Sequence, residues 1–373
     1  MRIPRRIALF TFTWALFMAA LPAQSVITHD GPRYAESTHP EHGEAIEAAR
    51  RLIHNQMDHF PGLSAAVGIN GRILWADGFG WADLEQRVPV RPWSRFRVGS
   101  VAKPMTAALL ALVLEDGQLD LDAPVQRYVP DFPVKKHPIT TRQLGGHLAG
   151  IRHYQGAEFL SSRHYATVLE GLEIFKEDPL LFQPGTRYSY SSYGWNLISA
   201  VIEGASGKSF LDQMHTRVFG ALSMRSTEAD QNRLIVPDRV RPYNLNDDGH
   251  FENAPYVDNS YKWAGGGFVS TAEDLVLFGS AHLKPGFLRA ETLKLLHTSQ
   301  KTADGKETGY GIGWMTGNDE KGRRVIRHGG GSVGGRTALI LWPEQGLVVA
   351  LIVNLTNGAP LPAADIAELF LKE

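Results

Sequence analysis

The stretch Arg97-Val98-Gly99-Ser100-Val101-Ala102-Lys103-Pro104, followed by the apolar run from Met105 to Leu114, decides how the rest of the chain is read. Two residues three apart on a helix lie one above the other on one face, so a serine hydroxyl and a lysine amine at this spacing can share a proton. Pro104 has no backbone N–H and is tolerated only near a helix start, which predicts a helix beginning at about Ser100. The hydroxyl then sits at the positive end of the helix dipole, where free backbone N–H groups can stabilise an oxyanion. A Ser-x-x-Lys tetrapeptide arises about once by chance in a chain of this length, so the motif alone is weak. Here it occurs at one place only, after a glycine and at a predicted helix start.

Outward from this point the chain is organised by strands at both ends. Residues Leu63 to Ile69 and Arg72 to Phe79 are apolar runs joined by Asn70-Gly71, the strongest short hairpin signal. Before them, Ile46, Ala49, Ile53, Met57 and Phe60 recur on one helical face, and Pro61-Gly62 stops the run. After the Ser100 helix, which Asp116-Gly117 ends, residues 119–299 read as helices and loops with few strand signals. Helices are expected at Tyr165 to Phe175, after Tyr193 as far as Gly204, and from the capping-box spacing Ser270-Thr271-Ala272-Glu273. Short apolar runs return at Gly309 to Thr316, Arg323 to His328, Thr337 to Trp342 and Leu347 to Asn354, with turns at Gly317 to Asp319 and Pro343 to Gly346. A helix from Ala363 to Leu371 closes the chain. The expected class is α+β: one antiparallel sheet built from 44–118 and 300–373, flanked by N- and C-terminal helices, with a mainly helical domain, 119–299, inserted.

The 373 residues are 43% hydrophobic and 21% charged, an ordinary globular balance with an ample core. A net charge of −1 gives no electrostatic footprint for nucleic acid. The absence of cysteine excludes disulfides, thiolate catalysis and zinc–cysteine sites. Arg2, Arg5 and Arg6 precede an apolar run from Ile7 to Leu21 and then Pro22-Ala23, the pattern of a secretory signal cleaved after Ala23. An uncleaved anchor is the alternative, for which the run is short. A periplasmic or secreted protein without an integral span is therefore expected, with residues 24–43 as a linker. His39 and His42 in that linker lack any partner motif for a metal, and no His-Glu-x-x-His occurs among the fourteen histidines, so neither metal nor cofactor is expected.

Two decoys fall on context. Gly330-Gly331-Ser332-Val333-Gly334 matches a nucleophile elbow, but that motif needs a helix after it, and a strand follows here. Gly207-Lys208-Ser209 resembles the end of a phosphate loop, but Ile202 stands where glycine is required. Two stretches do support Ser100. Pro184 to Gly194 is dense in hydroxyls just before a helix, and Arg327-His328-Gly329-Gly330-Gly331 ends a strand in glycines that admit a substrate backbone.

On these residues the chain resembles the serine β-lactamase and penicillin-binding protein superfamily, whose motifs Ser-x-x-Lys, Tyr-x-Asn and Lys-Thr-Gly or His-Thr-Gly correspond to Ser100-x-x-Lys103, Tyr190-Ser191-Ser192 and His328-Gly329-Gly330. Gly117 to Asp122, His147 to Tyr154 and Pro255 to Phe268 are most similar to the serine β-lactamase-like family that includes mitochondrial proteins of animals. The resemblance implies that Ser100 is acylated and that Lys103 takes its proton as a neutral amine. It implies that Tyr190 is base or proton shuttle, and that the N–H groups of Ser100 and Gly331 form an oxyanion hole. His328 would orient substrate and titrate near neutrality, which predicts a pH-dependent activity. Ser192 and Gly329 depart from the family's Asn and Thr, which weakens the case for efficient β-lactam hydrolysis. Tyr190 and His328 also have plain packing roles open to them; Tyr261, Lys262 and Trp263 could line the pocket or simply pack; His147 and His153 are expected to be structural, near the base of the Ser100 helix. The expected activity is an acyl-enzyme peptidase acting on a peptide or small-molecule substrate. An esterase, a β-lactamase or D-Ala-D-Ala carboxypeptidase, and a non-catalytic scaffold are the alternatives.

Overall fold

Pairs of strands from the two ends of the sequence lie side by side at the centre of one sheet. The structure, a computed structural model, describes residues 40–371; the expected signal sequence and most of the expected linker lie outside them. The first elements are α1 (Gly43–His54), β1 (Gly62–Ile69), β2 (Arg72–Asp83), β3 (Val88–Pro89) and β4 (Phe96–Arg97), so the linker gives way to helix at Gly43. The turn between β1 and β2 has φ of 53° at Asn70 and 84° at Gly71, the left-handed pair that a two-residue hairpin needs.

A 3-10 turn, Gly99–Val101, leads into α2 (Ala102–Glu115). Then come α3 (Thr141–Gly145), α4 (Val168–Leu172), α5 (Ser192–Ser206), α6 (Phe210–Gln213), β5 (Glu228–Ala229), β6 (Tyr243–Leu245), β7 (Phe251–Asn253), α7 (Trp263–Gly266) and β8 (Phe268–Ser270). The chain ends with α8 (Ala272–Ser280), α9 (Ala290–Leu296), β9 (Met315–Asn318), β10 (Arg324–Ser332), β11 (Gly335–Trp342), β12 (Leu347–Val353) and α10 (Ala363–Phe370). The large sheet has the order β3-β2-β1-β12-β11-β10-β9, with every pairing antiparallel.

Period-two alternation sorts its side chains. Leu63, Ala65, Val67, Val349 and Leu351 face Ala49, Ile53, Ile366 and Ala367 of α1 and α10, while Ala66, Val348, Ala350 and Ile352 face the opposite core with α2 and α8. Strand β12 is buried throughout, as a central strand covered on both faces should be. Helix α2 is apolar on nearly every side and runs through the middle of the larger core, which continues into α5 and the helical segment. The described residues make one compact unit.

Three local expectations change. The run Gly309 to Trp314 is a set of turns and not a strand: Gly309 and Gly313 have φ of 71° and 79°, and a Cβ at Gly311 would lie 2.0 Å from the Leu296 carbonyl oxygen. β9 therefore starts at Met315, and the turn after it moves to Asp319–Gly322, where the Asp319 carboxylate accepts the N–H groups of Lys321 and Arg323. The helix expected over Tyr165 to Phe175 contracts to α4, held at its start by Thr167 and beyond its end by Arg152, which donates to the Ile174 carbonyl. The cap of α8 is Thr271, one residue later than the box spacing suggested, with its hydroxyl accepting from Asp274 N–H.

Candidate active site

Glycines bring the end of β10 against the turn that carries Ser100. A Cβ at Gly330 would lie 2.0 Å from the Val98 carbonyl oxygen, and one at Gly99 would lie 2.6 Å from Gly331 N. Gly99 also has φ of 52°, a left-handed conformation that side chains resist. The backbone N–H groups of Ser100 and Gly331 thus belong to two segments in direct contact. Both residues line a cavity of about 390 Å³, together with His153, Tyr154, Phe159, Ser192, Lys262, Gly265, Gly266, Ser332 and Thr356.

Beneath Ser100 the Lys103 side chain is fully buried. Its Nζ lies 2.9 Å from Ser100 Oγ, 2.9 Å from Ser192 Oγ and 2.7 Å from the Gly265 carbonyl oxygen. Burial, and then the charge of Lys262, hold its pKa well below that of an ordinary lysine. A neutral amine has two N–H donors and one lone pair. Donation to Ser192 and Gly265 leaves the lone pair for the Ser100 O–H. Gly265 is placed for this by α7, which is tied to α2 through Thr106 Oγ1 and the Ala264 carbonyl, 3.0 Å apart. The missing side chain at Gly265 allows this packing: a Cβ there would lie 3.1 Å from the Ser192 carbonyl oxygen.

Tyr190 and Ser192 arrive just ahead of and at the start of α5, where Ser191 caps the helix by accepting Gly194 N–H. The Tyr190 ring sits 4.8 Å from Lys103 Nζ, and its hydroxyl interacts with those of Ser100 and Ser192. Burial raises the Tyr190 pKa, more than these hydrogen bonds lower it, so the phenol keeps its proton. Two imidazoles fix this segment. His147 Nδ1 accepts the Ser191 N–H at 3.1 Å and its ring stacks on Tyr190 with centroids 4.3 Å apart, while His153 Nδ1 accepts the Ser192 N–H at 3.2 Å. Both were expected to be structural at the base of α2; they hold the Tyr190 segment instead, and His153 also lines the cavity.

His328 behaves differently from its expected part. Its Nδ1 lies 2.6 Å from the Gly329 carbonyl oxygen, an acceptor, so the proton resides there and Nε2 accepts the Tyr310 O–H at 2.9 Å. The ring is 3% exposed and is absent from the cavity wall. Burial, and then Lys103, lower its pKa to about 3, so it is a neutral imidazole and not a cation titrating near neutrality. Gly330 likewise lies outside the wall: it serves the close approach to Val98, and Gly331 is the residue that meets the cavity.

Tyr154 and Phe159 in the wall had no assigned role in the sequence, whereas Lys262 was a candidate for the pocket and lines it. The two stretches that carry Tyr154 and Lys262 stood out there, but their common cavity depends on how loops 152–160 and 258–267 fold over α5. Among the described residues, no group of three or more His, Asp or Glu side chains could hold a metal.

A cavity-lining serine over a buried lysine at a helix start, closed by a glycine-ended strand of an antiparallel sheet, defines a serine hydrolase of the β-lactamase and penicillin-binding class. The chain belongs to the beta-lactamase family, whose profile matches residues 49–372. It is 32% identical to the mitochondrial serine beta-lactamase-like protein LACTB of Homo sapiens, over 88% of this chain and 80% of that protein. It is 28% identical to a penicillin-binding protein of Bacillus subtilis, over 80% of this chain and 72% of the relative. Its fold is similar to that of the D-amino acid amidase of Ochrobactrum anthropi, with a TM-score of 0.74 and 23% identity over 88% of this chain and 96% of the amidase. The protein is an enzyme of this β-lactamase-like serine hydrolase family.

Proposed function

We propose that the protein is an exported hydrolase that forms an acyl-enzyme on Ser100, acting as a peptidase. The observation that carries this is the Lys103 environment: fully buried, 2.9 Å from Ser100 Oγ, and hydrogen-bonded only to hydroxyls and a carbonyl. A lysine held neutral in this way is a base at neutral pH. Ser100 Oγ attacks the substrate carbonyl carbon as its proton passes to Lys103 Nζ. The negative charge that develops on the carbonyl oxygen is met by the N–H groups of Ser100 and Gly331, each contributing roughly 3 kcal/mol to the transition state. The C–N bond then breaks, and the Tyr190 phenol, protonated and in contact with the Ser100 hydroxyl, relays a proton to the leaving amine. Water enters by the reverse path and frees the acid from Ser100.

Peptide bonds are favoured over β-lactams because Ser192 and Gly329 replace the Asn and Thr whose polar contacts the antibiotic-hydrolysing relatives use. Export is inferred from Arg2, Arg5, Arg6 and the apolar run Ile7 to Leu21. Among the described residues, no helix is long and apolar enough to cross a membrane.

The test is labelling with a fluorophosphonate probe, followed by turnover of chromogenic esters, a cephalosporin and peptides. Wild type should label and Ser100→Ala should not, with peptides turned over. Equal labelling of both proteins overturns Ser100 as nucleophile, and turnover confined to the cephalosporin overturns the peptidase assignment. Sequencing the N-terminus of the protein recovered from fractionated cells checks export; an intact Met1 in the cytosolic fraction counts against it.

A further inference from the structure

A second cavity, of about 300 Å³, lies on the far side of the turn that joins β10 to β11. Ser332, before that turn, lines the Ser100 cavity, and Gly334, within it, lines the second one. The guanidinium groups of Arg95, Arg97 and Arg239 line this second cavity, and no carboxylate does. Backbone geometry gathers them. Arg95 and Arg97 are two apart on extended chain leading into and through β4, so their side chains leave on one side. Arg239 is the partner of Arg95 in an isolated parallel bridge.

Two carboxylates serve these three cations. Glu228 pairs with Arg95 Nη1, and Asp230 accepts from Arg97 Nε at 2.7 Å and from Arg239 Nη1 at 3.1 Å. One positive charge is left over. Donors are left over as well: Arg95 is 1% exposed, and its Nε and Nη2 have no partner among the described residues. Arg97 gives Nη1 to the Val333 carbonyl at 2.9 Å, which leaves its Nη2. Tying β4 to residues 228–240 needs the bonds to Glu228 and Asp230, but neither the extra charge nor the idle N–H groups. A buried donor without an acceptor costs on the order of 1–3 kcal/mol, a cost that an anion accepting from it would remove. The cavity is open to such a ligand. The Arg239 side chain is 27% exposed, and Pro255 and Tyr256, the latter 68% exposed, form the outer wall, with the buried Arg95 at the inner end.

We propose that this second cavity is a binding site for a phosphate group, held by Arg97 and Arg239 with Arg95 behind them. One guanidinium fork is enough for a carboxylate, whereas a phosphate has oxygens for N–H groups from several residues at once. Here the donors come from three residues on two separate segments. The phosphate is either the free anion or the head of a small ester, whose organic part would lie against Pro255 and Tyr256. The site is distinct from the Ser100 cavity, and the proposal stands or falls independently of the acyl-enzyme reading.

The experiment is isothermal titration calorimetry of the full chain with inorganic phosphate, phenyl phosphate and succinate at constant ionic strength. One phosphate per chain is expected, with a Kd of about 0.1–1 mM. Tighter binding of phenyl phosphate identifies an ester as the ligand, and equal binding identifies the free anion. Arg239→Gln should weaken binding by about tenfold or more. Ala254→Glu removes no guanidinium but sets a carboxylate on the cavity wall, and it should abolish binding while circular dichroism shows the fold intact. It decides the matter should Arg239→Gln fail to fold. Lys262→Met, in the wall of the Ser100 cavity, should leave the Kd within about twofold. Absence of saturable phosphate binding up to about 10 mM overturns the proposal. So does tighter binding of succinate than of either phosphate, or binding that survives Ala254→Glu. Binding lost in a folded Lys262→Met protein places the anion beside Ser100 and overturns it too.

Discussion

The two walls of the site are built on opposite plans. On the helical side, the starts of α2 and α5 bring side chains, Ser100, Lys103, Tyr190 and Ser192, linked by hydrogen bonds, and α7 adds the Gly265 carbonyl. On the sheet side, β10 brings mainly backbone, since Gly329, Gly330 and Gly331 have no side chains, His328 turns away and Ser332 alone adds a side chain to the wall. The helical wall therefore holds the proton-transfer chemistry, and the strand wall holds shape and N–H direction. Substitutions on the first should change rate with little loss of stability, whereas those on the second should cost stability as well as rate.

The largest effect should come from Lys103→Met, which removes the base and leaves the Ser100 hydroxyl unactivated. A fall in kcat/KM on the order of 10⁴-fold is expected with labelling by the probe sharply slowed. Wild-type kcat/KM should also fall on acidification as Lys103 takes up a proton, because only the neutral amine can act. Full activity in Lys103→Met would remove the division between the walls. Next, Tyr190→Phe keeps the ring stacked on His147 but removes the relay; steady-state kinetics should show a loss of about 10²–10³-fold in kcat with the melting temperature nearly unchanged.

Gly330→Val tests the other wall. Its added carbon would overlap the Val98 carbonyl, so β10 must move away from Ser100. A loss of about 3 kcal/mol, seen as a melting temperature lower by roughly 5 °C, is expected. A Gly330→Val protein as stable as wild type would show that the close approach is not needed.

The smallest effect on activity belongs to His328→Gln. A neutral side chain bonded to Tyr310 should be replaceable within about threefold in kcat/KM, with the acid limb of the pH profile unmoved. Its signature is in stability. The folded-state pKa of His328 is lowered to about 3 from the ordinary 6.5, so its neutral form contributes stability that is fully present above about pH 6.5 and is lost as pH falls toward 3. Melting curves between pH 7 and 4 should therefore be less steeply pH-dependent in His328→Gln. If the acid limb of activity shifts instead, the strand wall takes part in proton transfer.

Much of this arrangement was legible in the chain because it is local. Ser100 and Lys103 share a face by helical spacing, Asn70-Gly71 dictates its hairpin, and the apolar runs of β1 and β12 mark the two strands that meet at the centre of the sheet. Tyr190 to Ser192 could be placed before a helix by its hydroxyls. What stayed hidden depends on packing. The proton on His328 is set by Tyr310 and the Gly329 carbonyl. The clamp by His147 and His153 needs the 147–153 loop folded onto α5. Lys262 could be read as a pocket or a packing residue, and only the folded chain sets its amine among three rings. The Gly309 to Trp314 run misled for the same reason, since its apolar residues serve a close packing against α9 that period-two reading takes for a strand.

The pairing of β1 with β12 sets a schedule. Leu63 and Val353 are partners across the centre of the sheet although nearly the whole described chain separates them. Contacts so distant in sequence close slowly and late. A ribosome must therefore release most of the polypeptide before the sheet can join, and the β10 wall has no neighbour to dock upon until then. Hydrolysis cannot begin until the C-terminal strands have left the ribosome, so a nascent chain lacking them is harmless to its surroundings.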